Sequence, residues 1–333
     1  MSKKHRKHAE GHGPGQRNAT ESQGRYRQAA RDAPPSSALW AAATEELAGT
    51  GTGLIGARTP LFPGRAAKGI VTVEPGSACD LGHIDPDADG GLDKEAAKQA
   101  LAAERARIAA LQNKLYAERR QSLLVVLQAI DTGGKDGTIR SVFEGVNPQG
   151  CRVTSFKVPS SEELDHDFLW RYHKAVPARG MIGVFNRSHY EDVLVVRVKD
   201  LVPETVWRGR YGLINDFERM LAESGTTILK LFLHISKAEQ RERLQARIDD
   251  PEKHWKFDPA DLTERRSWDA YREAFDDALT RCSTPCAPWH VVPANRKWFR
   301  NLVVARTIAD TLEAMDPRYP DPVPGVSEMR VPE

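Results

Sequence analysis

The sequence lacks the segments that would direct the chain into a membrane or out of the cell. No apolar stretch approaches the about 20 residues that a helix needs to span a bilayer, and the N-terminus has no hydrophobic signal segment. Cysteine is scarce, since the 333 residues include only Cys79, Cys151, Cys282 and Cys286. The last two are closely spaced, but a typical zinc site would need a second close pair. We therefore expect a cytoplasmic protein with free thiols and no membrane partner.

The sequence also has no large excess of positive or of negative residues. The chain has 48 Lys and Arg residues against 46 Asp and Glu residues, which gives a formal net charge of +2. This balance does not indicate a nucleic-acid partner, so any affinity for polyanions must depend on where the basic residues cluster. Hydrophobic residues make up 40% of the sequence, enough for a substantial core in one large α/β domain or two small ones.

Composition divides the chain into three parts. Residues 1–68 are rich in Gly, Ala, Pro, Ser, Arg and Lys and have little apolar periodicity, so we expect a disordered basic tail. Residues 69–320 carry the apolar patterns of a folded domain, which starts with an arm of turns at residues 69–91. Residues 321–333 are expected to form a short C-terminal tail.

Strand patterns alternate with helix patterns through the domain. A continuous apolar run at residues 123–130 predicts a strand buried on both faces. Further strands are predicted at residues 152–157, 181–185, 227–235 and 289–293. Helix starts are predicted at Asp93, Thr138, Ser160 or Ser161, Pro203 and Ser236, with a closing helix around Trp298. The alternation predicts an α/β fold whose parallel sheet is covered by helices on both faces.

Two of the predicted helices carry more specific expectations. The helix that starts at Ser160 or Ser161 is expected to continue through residues 167–171. Ser236 and Glu239 form a capping-box pattern, in which each side chain satisfies a backbone N–H of the other residue.

A glycine-rich turn with a lysine follows the apolar run. Gly133, Gly134 and Gly137 allow the backbone to come close to a polyanion, and Lys135 adds a mobile positive charge. A strand, such a turn and then a helix form a phosphate cradle, because backbone N–H groups and the positive end of the helix dipole point inward. The alternative is a sharp β–α turn that contains a lysine by chance.

The turn departs from the usual P-loop pattern at two positions. Ala129 stands where the first glycine would fall, and Asp136 stands where Ser or Thr would follow the lysine. The hydroxyl that usually holds magnesium is therefore missing. Asp131, inside the turn, is the candidate substitute because hard cations prefer carboxylate oxygen.

A second cluster of basic residues follows the fourth predicted strand. Arg243 and Arg247 are one helical turn apart and share a face, with Lys253 and Lys256 just beyond. Two guanidinium groups on one face could close over a chain of phosphates. The alternative is a solvated helix in which Glu239, Glu242 and Asp249 balance the charge.

These motifs together resemble the polyphosphate kinase 2 family of P-loop phosphotransferases, across about residues 69–320. The resemblance depends on five segments in the order of the family. They are LQAIDTGGKDGT at residues 127–138, DFLWR at 167–171, FNRSHYEDVLV at 185–195, DDPEKHWK at 249–256 and WHVVPA at 289–294.

The resemblance implies a thymidylate-kinase-like fold with a mobile helical lid at about residues 236–280, magnesium dependence (with manganese as an alternative) and homo-oligomers. It implies catalytic roles for Asp131, Lys135, Arg187 and Glu191. Implied phosphate-binding residues are Gly133, Gly134, Asp136, Gly137, Thr138, Arg243, Arg247, Lys253 and Lys256. Many members have Asp at the position of Asn186, so this chain offers only a weak metal ligand there and depends more on Asp131.

These implied roles predict that the protein transfers a phosphoryl group from inorganic polyphosphate to ADP or AMP, or to GDP or GMP. Glu191 would orient Arg187 or a metal-bound water, or would form a purely structural ion pair. Two alternatives are an ATP-dependent nucleotide kinase and a protein that binds polyanions without turnover, the latter supported only by Asn186.

Overall fold

The computed structural model describes residues 69–332, and a six-stranded sheet forms their centre. The strands are β1 (Val71–Val73), β2 (Ser122–Gln128), β3 (Cys151–Ser155), β4 (Ile182–Asn186), β5 (Thr226–His234) and β6 (Trp289–Pro293). Their spatial order is β1-β6-β5-β2-β4-β3. Every neighbouring pair is parallel except β1 and β6, which are antiparallel. The predicted parallel α/β fold is confirmed, whereas the edge strand β1 lies where only turns were expected.

Helices connect and cover the strands. They are α1 (Lys94–Glu118), α2 (Lys135–Val142), α3 (Ser161–Leu164), α4 (Trp170–His173), α5 (Glu191–Val198), α6 (Glu204–Glu223), α7 (Lys237–Ile248), α8 (Ala260–Arg266), α9 (Trp268–Arg281) and α10 (Lys297–Ala314). Short 3-10 turns occur at Leu81–His83, Pro148–Gly150, Pro251–Lys256 and Val326–Glu328. Among these helices none is both long and apolar enough to cross a bilayer.

Strand β2 is the most deeply buried element. All seven of its residues are buried, and it pairs with β4 on one side and β5 on the other. Burial on both faces explains why its sequence is continuously apolar rather than alternating. Because β2, β4 and β5 are parallel, their carboxyl ends meet at one edge of the sheet, where ligands bind in folds of this kind.

Several predicted helix boundaries are confirmed. Asp93 caps α1 by accepting from the N–H groups of Glu95 and Ala96, as expected. Pro203 precedes the first residue of α6, as expected, and a left-handed Gly225 follows the end of that helix. Ser160 and Glu163 form a complete capping box at the start of α3.

Three helix predictions are wrong in part. The helix expected from Thr138 starts at Lys135, because Gly134 already adopts the left-handed conformation that turns the chain into α2. The helix expected through residues 167–171 is split into α3 and α4. Ser236 caps α7, but the Glu239 carboxylate binds Arg243, and Asn295 accepts from the Ser236 N–H instead.

The predicted tail at residues 1–68 lies outside the described residues. Residues 321–332 are exposed and contain one 3-10 turn. The four cysteines all lie in the described part, and each is a free thiol.

A buried ion pair underlies the loop that follows β4. Lys230 of β5 is fully buried and donates to Glu218 of α6 at 2.6 Å and to the Tyr190 hydroxyl at 2.8 Å. Tyr190 donates in turn to Glu218 at 2.8 Å, and His189 lies 3.0 Å from the same carboxylate. Burial alone would raise the pKa of Glu218, but Lys230 and His189 together outweigh burial and the pKa is lowered. The network fixes residues 189 and 190, and through them the backbone next to the site described below.

We predict that Lys230→Met destabilises the protein more than an ordinary core substitution does. It leaves the Glu218 carboxylate buried without its cation, which costs about 3–5 kcal/mol. Equilibrium urea denaturation measures this as a lower free energy of unfolding. The double variant with Glu218→Gln should regain part of the loss, and a Lys230→Met variant as stable as the parent would contradict the role of the pair.

Candidate phosphoryl-transfer site

The turn after β2 has the geometry of a phosphate cradle. Thr132 and Gly134 adopt positive φ angles of 62° and 97°, which reverse the chain between β2 and α2. A Cβ on Gly133 would lie 2.4 Å from that of Ala129, so the close approach requires glycine. Gly134 caps α2 without any side-chain hydrogen bond, and the first N–H groups of α2 therefore lack a side-chain cap and can bind an anion.

Lys135 lies in the first turn of α2 and points back along the cradle. Its Nζ donates to the Ala129 carbonyl at 3.0 Å, and the residue is only 8% exposed. Burial and the nearby charge of Arg187 lower the pKa of Lys135 to about 8, although the carboxylates of Asp131 and Glu191 oppose the shift. An anionic ligand beside this buried ammonium would favour its charged form.

Arg187 and Asp131 face each other across the ends of β4 and β2. The Arg187 Nη2 lies 3.7 Å from an Asp131 oxygen, and both side chains are partly exposed. Arg187 has a φ of 62° and its N–H donates to the Leu127 carbonyl, so a left-handed backbone directs it to this edge. Glu191 raises the pKa of Arg187 above its ordinary value, against the effect of burial. Burial would raise the pKa of Asp131, but the charges of Lys135 and Arg187, with smaller contributions from Asp261 and Arg247, outweigh burial and lower it.

Amide side chains tie the carboxylates of the site in place. The Asn186 amide donates to Asp136 at 2.5 Å, which links the end of β4 to the first turn of α2. Gln128 donates to Glu191 at 3.1 Å. An Asp at position 186 would place a second negatively charged carboxylate beside Asp136, and the two would repel each other. The neutral amide of Asn186 avoids this repulsion.

Helix α7 contacts the cradle from above. Gln240 donates to the Asp131 carbonyl at 3.1 Å. Arg243 donates to the Thr132 carbonyl at 3.1 Å and to the Ala294 carbonyl at 2.6 Å, and its Nε donates to Glu239. The arginine-bearing segment and Lys135 are therefore on the same side of the sheet.

Arg247 reaches the cradle through a carboxylate. Its Nη1 lies 3.3 Å from Asp261 of α8. The pKa of Asp261 is raised to about 6. Burial is the main cause, and the negative charge of Asp131 and a hydrogen bond with it add to the shift. Asp131 and Asp261 thus form a carboxyl pair between the cradle and α8, with Arg247 beside it.

Three residues predicted to bind phosphate are engaged elsewhere. The Thr138 hydroxyl is fully buried and donates to the Gly134 carbonyl at 3.0 Å, as a serine or threonine inside a helix commonly does. Lys253 pairs with Asp250 at 2.5 Å. The Lys256 Nζ lies 4.8 Å from the ring centre of Trp255.

A cavity of about 270 Å³ opens beside the charged residues. Its lining includes Asp131, Lys135, Arg187 and Glu191. Apolar side chains form much of the remainder, among them Phe156, Leu194, Leu201, Trp268 and Phe275. A cavity lined by both charged and apolar side chains suits a ligand that joins phosphate to a flat, weakly polar ring system.

Comparison with known proteins identifies the family. A family model described as polyphosphate kinase 2 matches residues 91–320. The chain belongs to the polyphosphate kinase 2 family.

Relatives of this family member match most of its length. The AMP/ADP-polyphosphate phosphotransferase of Meiothermus ruber is 56% identical over 252 residues, which cover 75% of this chain and 94% of the relative. The ADP-polyphosphate phosphotransferase of Rhodopseudomonas palustris is 46% identical over 268 residues, covering 76% of this chain and 92% of the relative. The crystal structure of polyphosphate kinase 2 from Arthrobacter aurescens TC1 superposes with a TM-score of 0.74 at 47% identity, covering 77% of this chain and 92% of that one.

Sequence reasoning missed several charged or polar residues at this polyphosphate kinase 2 site. Gln240 and Asp261 contact Asp131, and Arg300 packs against Gly134. None belongs to a short motif around the cradle, and each reaches the cradle from a helix distant in sequence. Only the folded chain brings them together.

We predict that Lys135 titrates near pH 8 in the free protein. Side-chain NMR of isotope-labelled lysine, with Lys135→Met to assign the signal, measures its pKa directly. Polyphosphate should move this pKa upward, because a bound polyanion favours the charged ammonium. A signal that titrates near the ordinary lysine value of about 10.4 in the free protein would contradict the described burial.

Proposed function

We propose that this chain transfers a phosphoryl group from inorganic polyphosphate to ADP and AMP. The observation that carries the proposal is the meeting of Lys135, Arg187 and Arg243 around one glycine turn at the carboxyl edge of the sheet. The names of the Meiothermus ruber and Rhodopseudomonas palustris relatives support polyphosphate as donor and AMP or ADP as acceptor. GMP and GDP are the alternative acceptors.

The transfer is a direct displacement between two phosphate groups. An oxygen of the terminal phosphate of the acceptor attacks the terminal phosphorus of polyphosphate. The bond from that phosphorus to the bridging oxygen breaks, and the shortened chain leaves with the electron pair. The protein forms no covalent bond, so its contribution is positioning and compensation of negative charge.

The position of each charged residue determines its role in the transfer. Lys135 and the N–H groups at the start of α2 would hold the transferring phosphate. Arg187, with Glu191 beside it, would stabilise charge on the equatorial oxygens. Arg243 and Arg247 would complete the enclosure when the lid, residues 236–280, closes over the cleft. The apolar part of the cavity would receive the base of the acceptor.

The carboxylates fit a divalent cation, which we propose to be Mg²⁺ or Mn²⁺. No cluster of three or more His, Cys, Asp or Glu side chains suited to a metal occurs within residues 69–332. Mg²⁺ commonly takes only one or two protein carboxylates and completes its shell with water and substrate phosphate. The opposed carboxyl groups of Asp131 and Asp261 provide that number, and a cation there would relieve their repulsion. When bound, the cation would neutralise phosphate charge.

Asp131 is the principal ligand in this proposal. Asn186 is the weaker one, because its amide nitrogen already faces Asp136. Asp131 also remains within 3.7 Å of Arg187, so it would orient that guanidinium as well as the cation.

We predict that Lys135→Ala lowers kcat by at least about 100-fold, since a donor aimed at transition-state charge contributes this much. Asp131→Asn should have a similar effect, and both variants should keep their far-UV circular dichroism. Lys114→Gln is the matched control, because Lys114 lies near Asp316 at the far end of α10. A Lys135→Ala variant with near-normal turnover would contradict the assignment of roles.

A donor and acceptor assay tests the function itself. Purified protein is incubated with Mg²⁺, long-chain polyphosphate and AMP, ADP, GMP or GDP, and the products are identified by chromatography. We expect ADP from AMP and ATP from ADP, with no ATP supplied. Turnover with ATP but not with polyphosphate would favour an ordinary nucleotide kinase, and binding without any turnover would favour a non-catalytic polyanion-binding protein.

A further inference from the structure

A pair of arginines from different helices meets at the glycine that caps α2. Nη1 of Arg300, which belongs to α10, lies 2.1 Å from the position that a Cβ on Gly134 would occupy. Arg243 Nη1 lies 3.5 Å from the same position. Arg300 Nη2 also lies 3.7 Å from the equivalent position on Gly137. The absence of a side chain at Gly134 therefore admits the Arg300 guanidinium to the base of the cradle, whereas a Cβ on Gly137 would only touch it.

Within residues 69–332, Arg300 carries a buried charge that forms no ion pair with a carboxylate, although the charge of Glu239 partly offsets it. It is only 3% exposed, and its Nε and Nη2 donate to the neutral amide of Asn301 at 3.1 and 2.8 Å. Its Nη1 has no hydrogen-bond partner within residues 69–332. Burial and the charge of Arg243 lower the pKa of Arg300 to about 10. A buried cation without a counter-ion is destabilising, which indicates a site that an anionic ligand completes.

Lys297 extends this positive region to the surface. It is the first residue of α10, and its side chain is exposed. Burial and the positive charge of Arg243 lower the pKa of Lys297. The charges of Arg300 and Lys253 lower it further. Glu239 is the carboxylate that acts in the opposite direction, and it already binds Arg243. Positive charge is therefore in excess here.

The backbone adds to this excess. Helix α10 starts after Arg296 without a side-chain hydrogen bond to its first N–H groups, as α2 does after Gly134. An uncapped helix start attracts anions through these N–H groups and the helix dipole. Arg300, the fourth residue of α10, packs against Gly134 at the start of α2, so the two helix starts lie close together.

We propose that Arg243, Lys297 and Arg300 form a second phosphate subsite, which holds the inner phosphates of the polyphosphate donor. This inference rests on the proposed function and adds the direction of the donor chain. The terminal phosphate lies at Lys135, and the chain continues past Gly134 toward the start of α10. None of the three residues lines the partly apolar cavity, so donor and acceptor approach the cradle from different sides.

Isothermal titration calorimetry without nucleotide tests the subsite. Lys297→Gln removes an exposed charge and leaves the buried contacts of the cradle intact. We expect it to weaken binding of long-chain polyphosphate about tenfold, which is the size of a charge-assisted hydrogen bond. Binding of pyrophosphate, which is too short to reach the subsite, and of ADP should change less than twofold. Lys114→Gln should bind all three ligands as the parent does.

Two results would overturn the inference. One is an unchanged affinity of Lys297→Gln for long-chain polyphosphate. The other is an equal loss of affinity for pyrophosphate and long-chain polyphosphate, which would mean that Lys297 acts on the cradle and not on inner phosphates. If the parent protein bound no polyphosphate at all, the proposed function would fail together with the subsite, so the two failures are distinguishable.

Arg300→Gln provides a second measurement at the buried end of the subsite. It removes an unbalanced buried charge, so we expect its melting temperature to be no lower than that of the parent, while long-chain polyphosphate binds at least tenfold more weakly. An Arg300→Gln protein that folds and binds long-chain polyphosphate normally would overturn the role of Arg300. The exposed Lys297 keeps the inference testable if Arg300→Gln does not fold.

Discussion

Buried positive charge at one glycine turn is the constraint on which the rest of the structure depends. Lys135 and Arg300 are both buried, and burial lowers the pKa of each, although nearby carboxylates oppose the shift. The starts of α2 and α10 add partial positive charge at the same place. Such an arrangement is unfavourable in the free protein and becomes favourable when a polyanion enters. The protein retains it because the ligand supplies the missing negative charge.

The sheet and the buried ion pair hold this turn in position. Strand β2 ends in the turn, and its burial between β4 and β5 leaves it little freedom to move. The pair of Lys230 with Glu218 fixes the loop that carries Arg187. The packing of β2 and the buried ion pair stabilise the elements that carry the site. Thr132 and Arg187 can therefore keep their strained, positive φ angles.

The sequence predicted well whatever depends on local pattern. The run at residues 123–130 specified the central strand, Asp93 specified the start of α1, and the glycines with Lys135 specified the cradle. Predictions of helix starts were wrong where the folded structure overrode a local sequence preference. Glu239, for example, binds Arg243 instead of closing its capping box, and helix α2 starts at Lys135 because Gly134 turns the chain.

The sequence could not reveal contacts between distant helices. Asp261 reaches Asp131 from α8, and Arg300 reaches Gly134 from α10, yet neither carries a local signal. Strand β1 was missed because three residues give too little alternation to be distinguished from a turn. Burial and unbalanced charge, which only the folded chain shows, were needed to find the subsite at α10.

A crystal structure of the protein with polyphosphate and Mg²⁺ tests the central claim most directly. The account predicts a terminal phosphate within hydrogen-bond distance of Lys135 and of the first N–H groups of α2, with further phosphates beside Arg243 and Arg300. A phosphate chain bound at another surface, with the turn after β2 empty, would contradict it.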